Sequence, residues 1–435
     1  MTTSAAAIRL GDAVYRAPSA AVEGGFATID GVRYARIANV DEMDPFLVSI
    51  VSDSDAWLFV GSNGPFTAGR RSPDDALFPY QTVDKILRHA TTSGARTSLL
   101  VTRGSTTALW EPWLITSSVY RLTRNLYKRV DGTAILFEEV NHDLGLRFRW
   151  SLEACDRFGI VRHAELDELT GEAAGVRYLD GFHQVLPPGV DQDTYARLSY
   201  LATAYMRHEL LPDGRLAVFS LNAAISDRPE PSEVLRVVAA WSAGHQDPVI
   251  LLSDRQLAAF RRGETVQAEH EVRGEMGAYL VADRVDLVAG GHHAWYTVAD
   301  TRLDQAAVYD LGALLAASVD VEPQLRDALA ANRDGIRRRL ARADGFQHGA
   351  SEAATANHLA NVLYNVMRGG SFEDDARVPV DDLDAYLRQQ NREVAEQHRA
   401  WLVTLPPDAT IRAVREAART QGDPQLDRLV GAYLP

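Results

Sequence analysis

Between Trp57 and Lys85 the chain gathers residue types that recognise ligands: Ser62-Asn63-Gly64, Gly69-Arg70-Arg71 and Leu77-Phe78-Pro79-Tyr80. Glycine turns, a paired arginine, an asparagine and aromatics outside any clean periodicity mark a loop of the kind that carries function. Arginine's planar fork grips vicinal hydroxyls, carboxylates or a phosphate at two points. Asn63, Arg70, Arg71 and Tyr80 are therefore candidate binding residues, with ion pairing to Asp74, Asp75 or Asp84 as the structural alternative for the arginines. Next come Trp110-Glu111-Pro112-Trp113 and the polar strand positions Arg121, Asn125, Tyr127, Glu139 and Asn141. Indole rings stack on the C–H faces of sugars while the hydroxyls need polar partners. Trp110, Trp113, Asn125 and Glu139 join the candidates on that ground, against burial of both tryptophans in a core.

Glycoside cleavage needs two carboxyl groups at a set separation. Glu138 and Glu139 are neighbours on a strand, point to opposite faces and cannot act together. His183, in Asp180-Gly181-Phe182-His183 ahead of Pro187-Pro188, completes the candidates, whether that stretch is a site loop or a turn made by Asp180. No catalytic residue is assigned. His208-Glu209 and His270-Glu271 lack the second histidine of a metalloprotease helix, and His292-His293 reads as a polar hairpin tip. Neither lysine, Lys85 or Lys128, follows a glycine-rich loop, and no Gly-x-Ser-x-Gly or Gly-x-Gly-x-x-Gly occurs. Cys155 is the only cysteine, so no intrachain disulfide and no cysteine-based zinc site can form. No metal and no cofactor is expected.

The 435 residues suggest two or three domains, and 46% hydrophobic with 24% charged residues is an ordinary globular balance. Acidic residues outnumber basic ones, 59 to 45, for a net charge of −14. Nucleic acid, which demands a basic footprint, is thereby disfavoured as a partner. Met1–Pro18 lacks the basic and apolar regions of a signal peptide, and no run reaches the ~18 apolar residues that span a bilayer. The expectation is a cytoplasmic, soluble protein without a membrane.

Positioning these residues falls to strands for most of the first 300 positions. In Gly145–Glu153, Leu146, Phe148, Trp150 and Leu152 share one face and Arg147, Arg149, Ser151 and Glu153 the other, the mark of an antiparallel sheet on a core. Val130-Asp131-Gly132-Thr133 supplies a hairpin turn. Short helices are expected at Gln81–His89 and Asp254–Phe260, and a longer one at Asp191–Leu211, ended by Pro212-Asp213-Gly214. From about Leu303 alanine, arginine and leucine at helical spacing take over, in Asp304–Ala317, Pro323–Ala343, Ala350–Arg368, Asp381–Thr404, Ile411–Thr420 and Pro424–Ala432. The chain divides into a loose arm (1–24), an antiparallel β-sandwich (25–302) and an α-helical linker segment (303–435). Its apolar end, Val430–Pro435, reads as the front part of a longer polypeptide.

Taken together, Ser62-Asn63-Gly64, Thr67-Ala68-Gly69-Arg70, Leu77-Phe78-Pro79-Tyr80, Tyr120-Arg121, Asn125-Leu126-Tyr127, Cys155-Asp156, Leu179-Asp180-Gly181 and the helical His358–Gly370 resemble the N-terminal part of proteins related to cellobiose phosphorylase. The resemblance runs from about residue 30 to the end. It implies a super-sandwich of the galactose-mutarotase type joined by linker helices to a catalytic (α/α)6 barrel, with the acid that protonates the glycosidic oxygen on the barrel. The implied function is the sandwich-and-linker portion of a glycoside phosphorylase or hydrolase acting on β-glucosides or oligosaccharides, inactive alone. The sandwich would support the barrel, help form a homodimer and lend loops to the sugar site. An autonomous carbohydrate-binding or assembly module, and a small mutarotase or epimerase using His183 or Glu139, are the other readings.

Overall fold

Leu146, Phe148, Trp150 and Leu152 point one way in the strand Leu146–Cys155 and all four are buried, while Arg147 and Arg149 on the reverse stay half-exposed. Burying one face of an alternating strand is what seats a sheet on a core. The structure is a computed structural model and describes residues 8–18, 20–212, 214–225, 233–317, 320–343, 345–367, 377–407 and 409–433. The four side chains belong to one apolar layer fed by three antiparallel sheets.

The largest sheet has eleven strands, in the order Glu271–Arg273, Met206–Leu210, Ala217–Leu221, Val237–Ala243, His292–Leu303, Gly159–Glu168, Leu146–Cys155, Ala134–Asn141, Leu122–Arg129, Val32–Ala38 and Glu23–Ile29. The second has five: Val249–Leu251, Gly277–Leu287, Ala174–Val185, Gly94–Arg103 and Thr106–Trp110. A third joins Leu47–Ile50, Ala56–Gly61 and Phe66–Arg70. The expected β-sandwich is present. The turn at Val130–Thr133 forms as its residues dictate: Gly132 takes φ 75°, and Asp131 accepts from the Thr133 N–H at 3.2 Å and its hydroxyl at 2.7 Å.

A buried ion pair links the two larger sheets. Asp180, on Ala174–Val185, accepts from Arg162 of Gly159–Glu168, from Trp295 Nε1 at 2.7 Å and from the Thr97 hydroxyl at 2.5 Å. Both charged groups are fully enclosed, Arg162 lying over the Phe148 and Trp150 rings. Asp180 thus sits inside a strand and makes no turn. His292-His293 is likewise no hairpin tip: the chain passes there from Gly277–Leu287 in one sheet to His292–Leu303 in the other.

Two expected elements change shape. The stretch Ser62–Lys85 is no open loop. It contains the strand Phe66–Arg70, a bridge from Gly69 to Ala76, a 3-10 turn at Pro73–Asp75 and the short helix Val83–Ile86. The helix capped by Asp191, which accepts from the Thr194 N–H at 2.7 Å, spans only Gln192–Ala204. Met206 and His208 then alternate inward on a strand of the large sheet, and a period of two prevails over the helical one. Asp213, which was to end that helix, lies outside the described residues, as do residues 1–7 of the arm. The rest of the arm holds the small hairpin Arg9–Leu10 and Ala13–Val14, tied to the sandwich by the Arg16 N–H on the Ser118 carbonyl at 2.7 Å.

Composition changes at Leu303, yet the first compact unit runs to Ile336. Leu315 of the helix Gln305–Ala317, Val321, and Leu325 and Leu329 of the helix Glu322–Arg342 pack on Phe158, Trp241, Tyr296 and Val298. The sheet there is covered on both faces, and its strand Val237–Ala243 is accordingly buried almost throughout. The second unit, from Arg337, is more than a linker. Between Val378 and Tyr433 it encloses its own core, including Leu383, Leu387, Trp401, Val414, Leu426 and Val430. The expected helix Asp381–Thr404 is three: Val380–Gln390, Arg392–Gln397 and Arg399–Thr404. Asn391 ends the first and caps the second through its side chain. The helix expected at Ala350–Arg368 covers Glu352–Met367; residues 368–370 lie outside the described residues.

Candidate functional site

Arg70 donates through Nε and Nη2 to both oxygens of Asp300, at 2.6 and 2.8 Å, through Nη1 to Asp55 at 2.5 Å, and to the Asp156 carbonyl. Its closest acidic partners are thus Asp300, on the distant strand His292–Leu303, and Asp55, in the bend before Ala56–Gly61, not Asp74, Asp75 or Asp84. Arg71 stands in the left-handed region at φ 58° and reaches Asp55 at 3.1 Å with an exposed side chain. Tyr80 is half-buried, edge-on to Trp57. Asn63 donates to the Leu87 carbonyl at 2.7 Å.

Trp110 is fully enclosed, and its Nε1 donates to Glu139 Oε1 at 2.6 Å. The other oxygen of Glu139 accepts from the Trp113 N–H at 2.8 Å and Arg124 Nε at 2.7 Å. Trp110 and Glu139 are completely buried and tie the loop between the five-stranded and eleven-stranded sheets to the large sheet, so neither presents a face to a sugar, whereas Trp113 is half-buried. Asn125 donates to Glu138 on the opposite face at 2.8 Å. Burial opposes the charge of Glu138, but the Asn125 hydrogen bond and the Arg149 guanidinium hold its carboxyl below the usual range. The two glutamates serve separate networks, as their adjacency requires.

Asn63 and Trp113 meet at a small cavity of about 30 Å3, and His183 lines a far larger one. His183 lies at the end of Ala174–Val185, opposite Ala278 and Gly94 on the flanking strands. Gly181, at φ 151°, lets this strand close on its neighbour, because a Cβ there would stand 2.0 Å from the Tyr279 carbonyl oxygen. Past His183 the register slips at a bulge, and Gln184 takes φ 60°. Bulges and positive φ at a non-glycine residue collect where a strand must re-aim a side chain. The cavity beyond measures about 430 Å3 and is lined by His183 and Gln184, by Tyr195 and Tyr200 of the helix Gln192–Ala204, and by Asp254 and Glu275. That helix is anchored through its buried Ala202, which packs with Leu186, Val190, Met206 and Leu221. It breaks at Leu198 (φ −130°, ψ 33°), and Tyr200 is 94% exposed.

The imidazole of His183 is neutral at physiological pH: burial, aided by the charge of Arg96, lowers its pKa to about 4. Its Nε2 has no hydrogen-bond partner among the described residues. Behind the cavity His208 Nε2–H donates to the Glu275 carbonyl at 2.8 Å, and burial lowers that imidazole to about 4 as well. Arg255 holds the Glu275 carboxylate through Nε at 2.7 Å and through Nη2. The arrangement can bind a polar, uncharged molecule that also presents an apolar face. It contains no cluster of His, Cys, Asp and Glu fit for a metal among the described residues. Apart from His183, sequence reasoning did not find this site. Tyr195 and Tyr200 are five apart, about 140° around a regular helix, and only the break at Leu198 lets both line one cavity.

Residues 372–435 match the model of insertion domain 1 of glycoside hydrolase family 149. No curated protein sequence matches the chain. Among solved structures, a bacterial glucoamylase complexed with acarbose is similar over 94% of this chain and 60% of its own, at 10% identity and a TM-score of 0.42. A protein described as a kojibiose phosphorylase, from the human microbiome, is similar over 61% of this chain and 27% of its own (6% identity, TM-score 0.25). One described as an aldose 1-epimerase, from Escherichia coli K12, is similar over 60% and 99% (8% identity, TM-score 0.30). The chain therefore spans less than two thirds of each of the first two, and at these scores the likeness transfers no activity. No helix among the described residues is long and apolar enough to cross a membrane.

Proposed function

We propose that this chain is the sandwich-bearing portion of a carbohydrate-active enzyme of the glycoside phosphorylase or hydrolase kind, working on β-glucosides or oligosaccharides. One observation carries the reading: the segment matched by a glycoside hydrolase insertion domain, residues 372–435, coincides with the self-contained helical core at Val378–Tyr433. That core follows a large antiparallel sandwich whose acids are mostly committed. Glu138, Glu139 and Asp180 are buried and neutralised by Arg149, Arg124 and Arg162. Glycosidic cleavage needs an acid and a second carboxylate or activated water held on either side of the bond, and of the two acids that line the cavity, Asp254 and Glu275, the second is held by Arg255. The proposal assigns the cleaving acid to an (α/α)6 barrel partner, with the sandwich supporting it, lending loops to the sugar site and serving a homodimer.

The mutarotase reading loses Glu139, which is sealed from any substrate. The autonomous binding-module reading keeps the same sugar chemistry without catalysis. The test is turnover. The purified chain, incubated with gluco-oligosaccharides with and without phosphate, should release no product, whereas a longer polypeptide that adds a helical barrel should. Product from the chain alone, abolished by a single Asp or Glu substitution, would refute the division of labour. A barrel-bearing polypeptide that leaves every saccharide untouched would refute the carbohydrate reading itself.

A further inference from the structure

We propose that the cavity between the helix Gln192–Ala204 and the bulged end of Ala174–Val185 is a binding site for a neutral saccharide, with Tyr200 as its stacking wall and His183 as its inner hydrogen-bonding group. The inference takes its ligand class partly from the carbohydrate reading above, but its geometry stands alone. A volume of about 430 Å3 lies within the range of small-ligand sites, roughly 300–1,000 Å3.

The lining fixes the chemistry. An aromatic ring left 94% exposed at the rim of a cavity is apolar surface waiting for a flat partner. Ser199 and Gln184 bring a hydroxyl and an amide, which both donate and accept, and the Thr203 hydroxyl, whose proton goes to the Ser199 carbonyl at 2.8 Å, brings an acceptor. Asp254 adds a carboxylate acceptor. A ligand with one C–H face and a rim of hydroxyls answers every one of these groups. A phosphate or carboxylate does not. No arginine or lysine is among the lining residues, and the acidic groups present, Asp254 and Glu275, repel an anion. The Arg255 charge is spent on Glu275.

His183 supplies the independent sign of a ligand. Its side chain is 94% buried and its Nε2 is unpartnered among the described residues, a costly condition for a polar atom away from water. The local backbone is strained to hold it there, through the bulge and the positive φ of Gln184. Strain and an unpaired buried polar group in one place are what a preorganised site carries before its ligand arrives. A hydroxyl of the sugar, able to donate or accept, satisfies the imidazole in either tautomer.

Titration calorimetry of the full chain with short β-linked gluco-oligosaccharides tests this, with inorganic phosphate as a second probe and no turnover required. Saccharide should bind and phosphate should not. Tyr200→Ala, whose side chain is too exposed to support the fold, should weaken binding at least about tenfold, and His183→Asn by a similar factor. Tyr309→Ala, an exposed tyrosine outside the cavity, should bind as the parent does. Unchanged affinity in Tyr200→Ala and His183→Asn would overturn the inference while leaving the proposed function standing. Absence of saccharide binding by the parent chain, or phosphate competing for the site, would overturn it too, and the turnover assay would still decide the wider reading separately.

Discussion

Arg70 makes four hydrogen bonds, to Asp300 twice, to Asp55 and to the Asp156 carbonyl, while the next residue, Arg71, is 67% exposed and pairs with Asp55 alone among the described residues. Burial pushes the Asp300 carboxyl up even with Arg70 beside it, so removing the guanidinium strands a buried acid. Arg70→Ala should therefore cost about 3 kcal/mol, as breaking one side of a buried pair does. Arg71→Ala keeps a β-carbon at the same positive φ and should stay within about 0.5 kcal/mol. Urea denaturation of the two variants checks the contrast; equal losses would show the assignment of partners wrong. In the sequence the two arginines are indistinguishable. What separates them is a strand near residue 300, and no local pattern reveals a partner that far away.

The strand Leu146–Cys155 was legible because its signal is local: four apolar residues alternate with polar ones, and the face they form is buried. Trp150 stacks on Phe137 of the neighbouring strand with centroids 4.0 Å apart, and the Arg162 guanidinium lies 5.4 Å from its ring centroid. Trp150→Ala should lose about 3–5 kcal/mol, through the cavity left and the exposure of a buried ion pair beneath it. A smaller loss, under 1 kcal/mol in the same denaturation experiment, would mean the layer repacks freely. The turn at Asp131-Gly132 and the cap at Asp191 were equally readable, since each depends on residues within three positions. Elements with mixed signals were not. After Asp191 the helical pattern runs on in the sequence, but Met206 and His208 pair with Leu221 and Phe219, and sheet partners decide the outcome. The cavity at His183 was readable only at its one histidine, because a bulge, a helix break and a loop near residue 275 build the rest.

At the scale of the whole chain the informative fact is that the last sixty or so residues close on themselves. Asn391, Thr410 and Asp423 cap the helices Arg392–Gln397, Ile411–Thr420 and Pro424–Ala432, and Asp423 is also held by His398 at 2.8 Å. Arg377 bridges to Thr410, and the Tyr433 hydroxyl donates to Asp382, so the last helix returns to the first. A linker has no need of such closure, whereas a domain does, and the match to a glycoside hydrolase insertion domain covers the same residues. Residues 372–435 produced alone should therefore give a helical far-ultraviolet circular dichroism spectrum and a single cooperative melt. A domain this small holds only about 3–5 kcal/mol in its core. Leu426→Ala, which removes a fully buried side chain at a cost of roughly 2–5 kcal/mol, should leave it largely unfolded. Tyr433→Phe, which deletes one hydrogen bond, should cost about 1 kcal/mol and keep the melt cooperative. A disordered spectrum from the parent segment would show that Val378–Tyr433 is held together by the rest of the chain rather than by its own core.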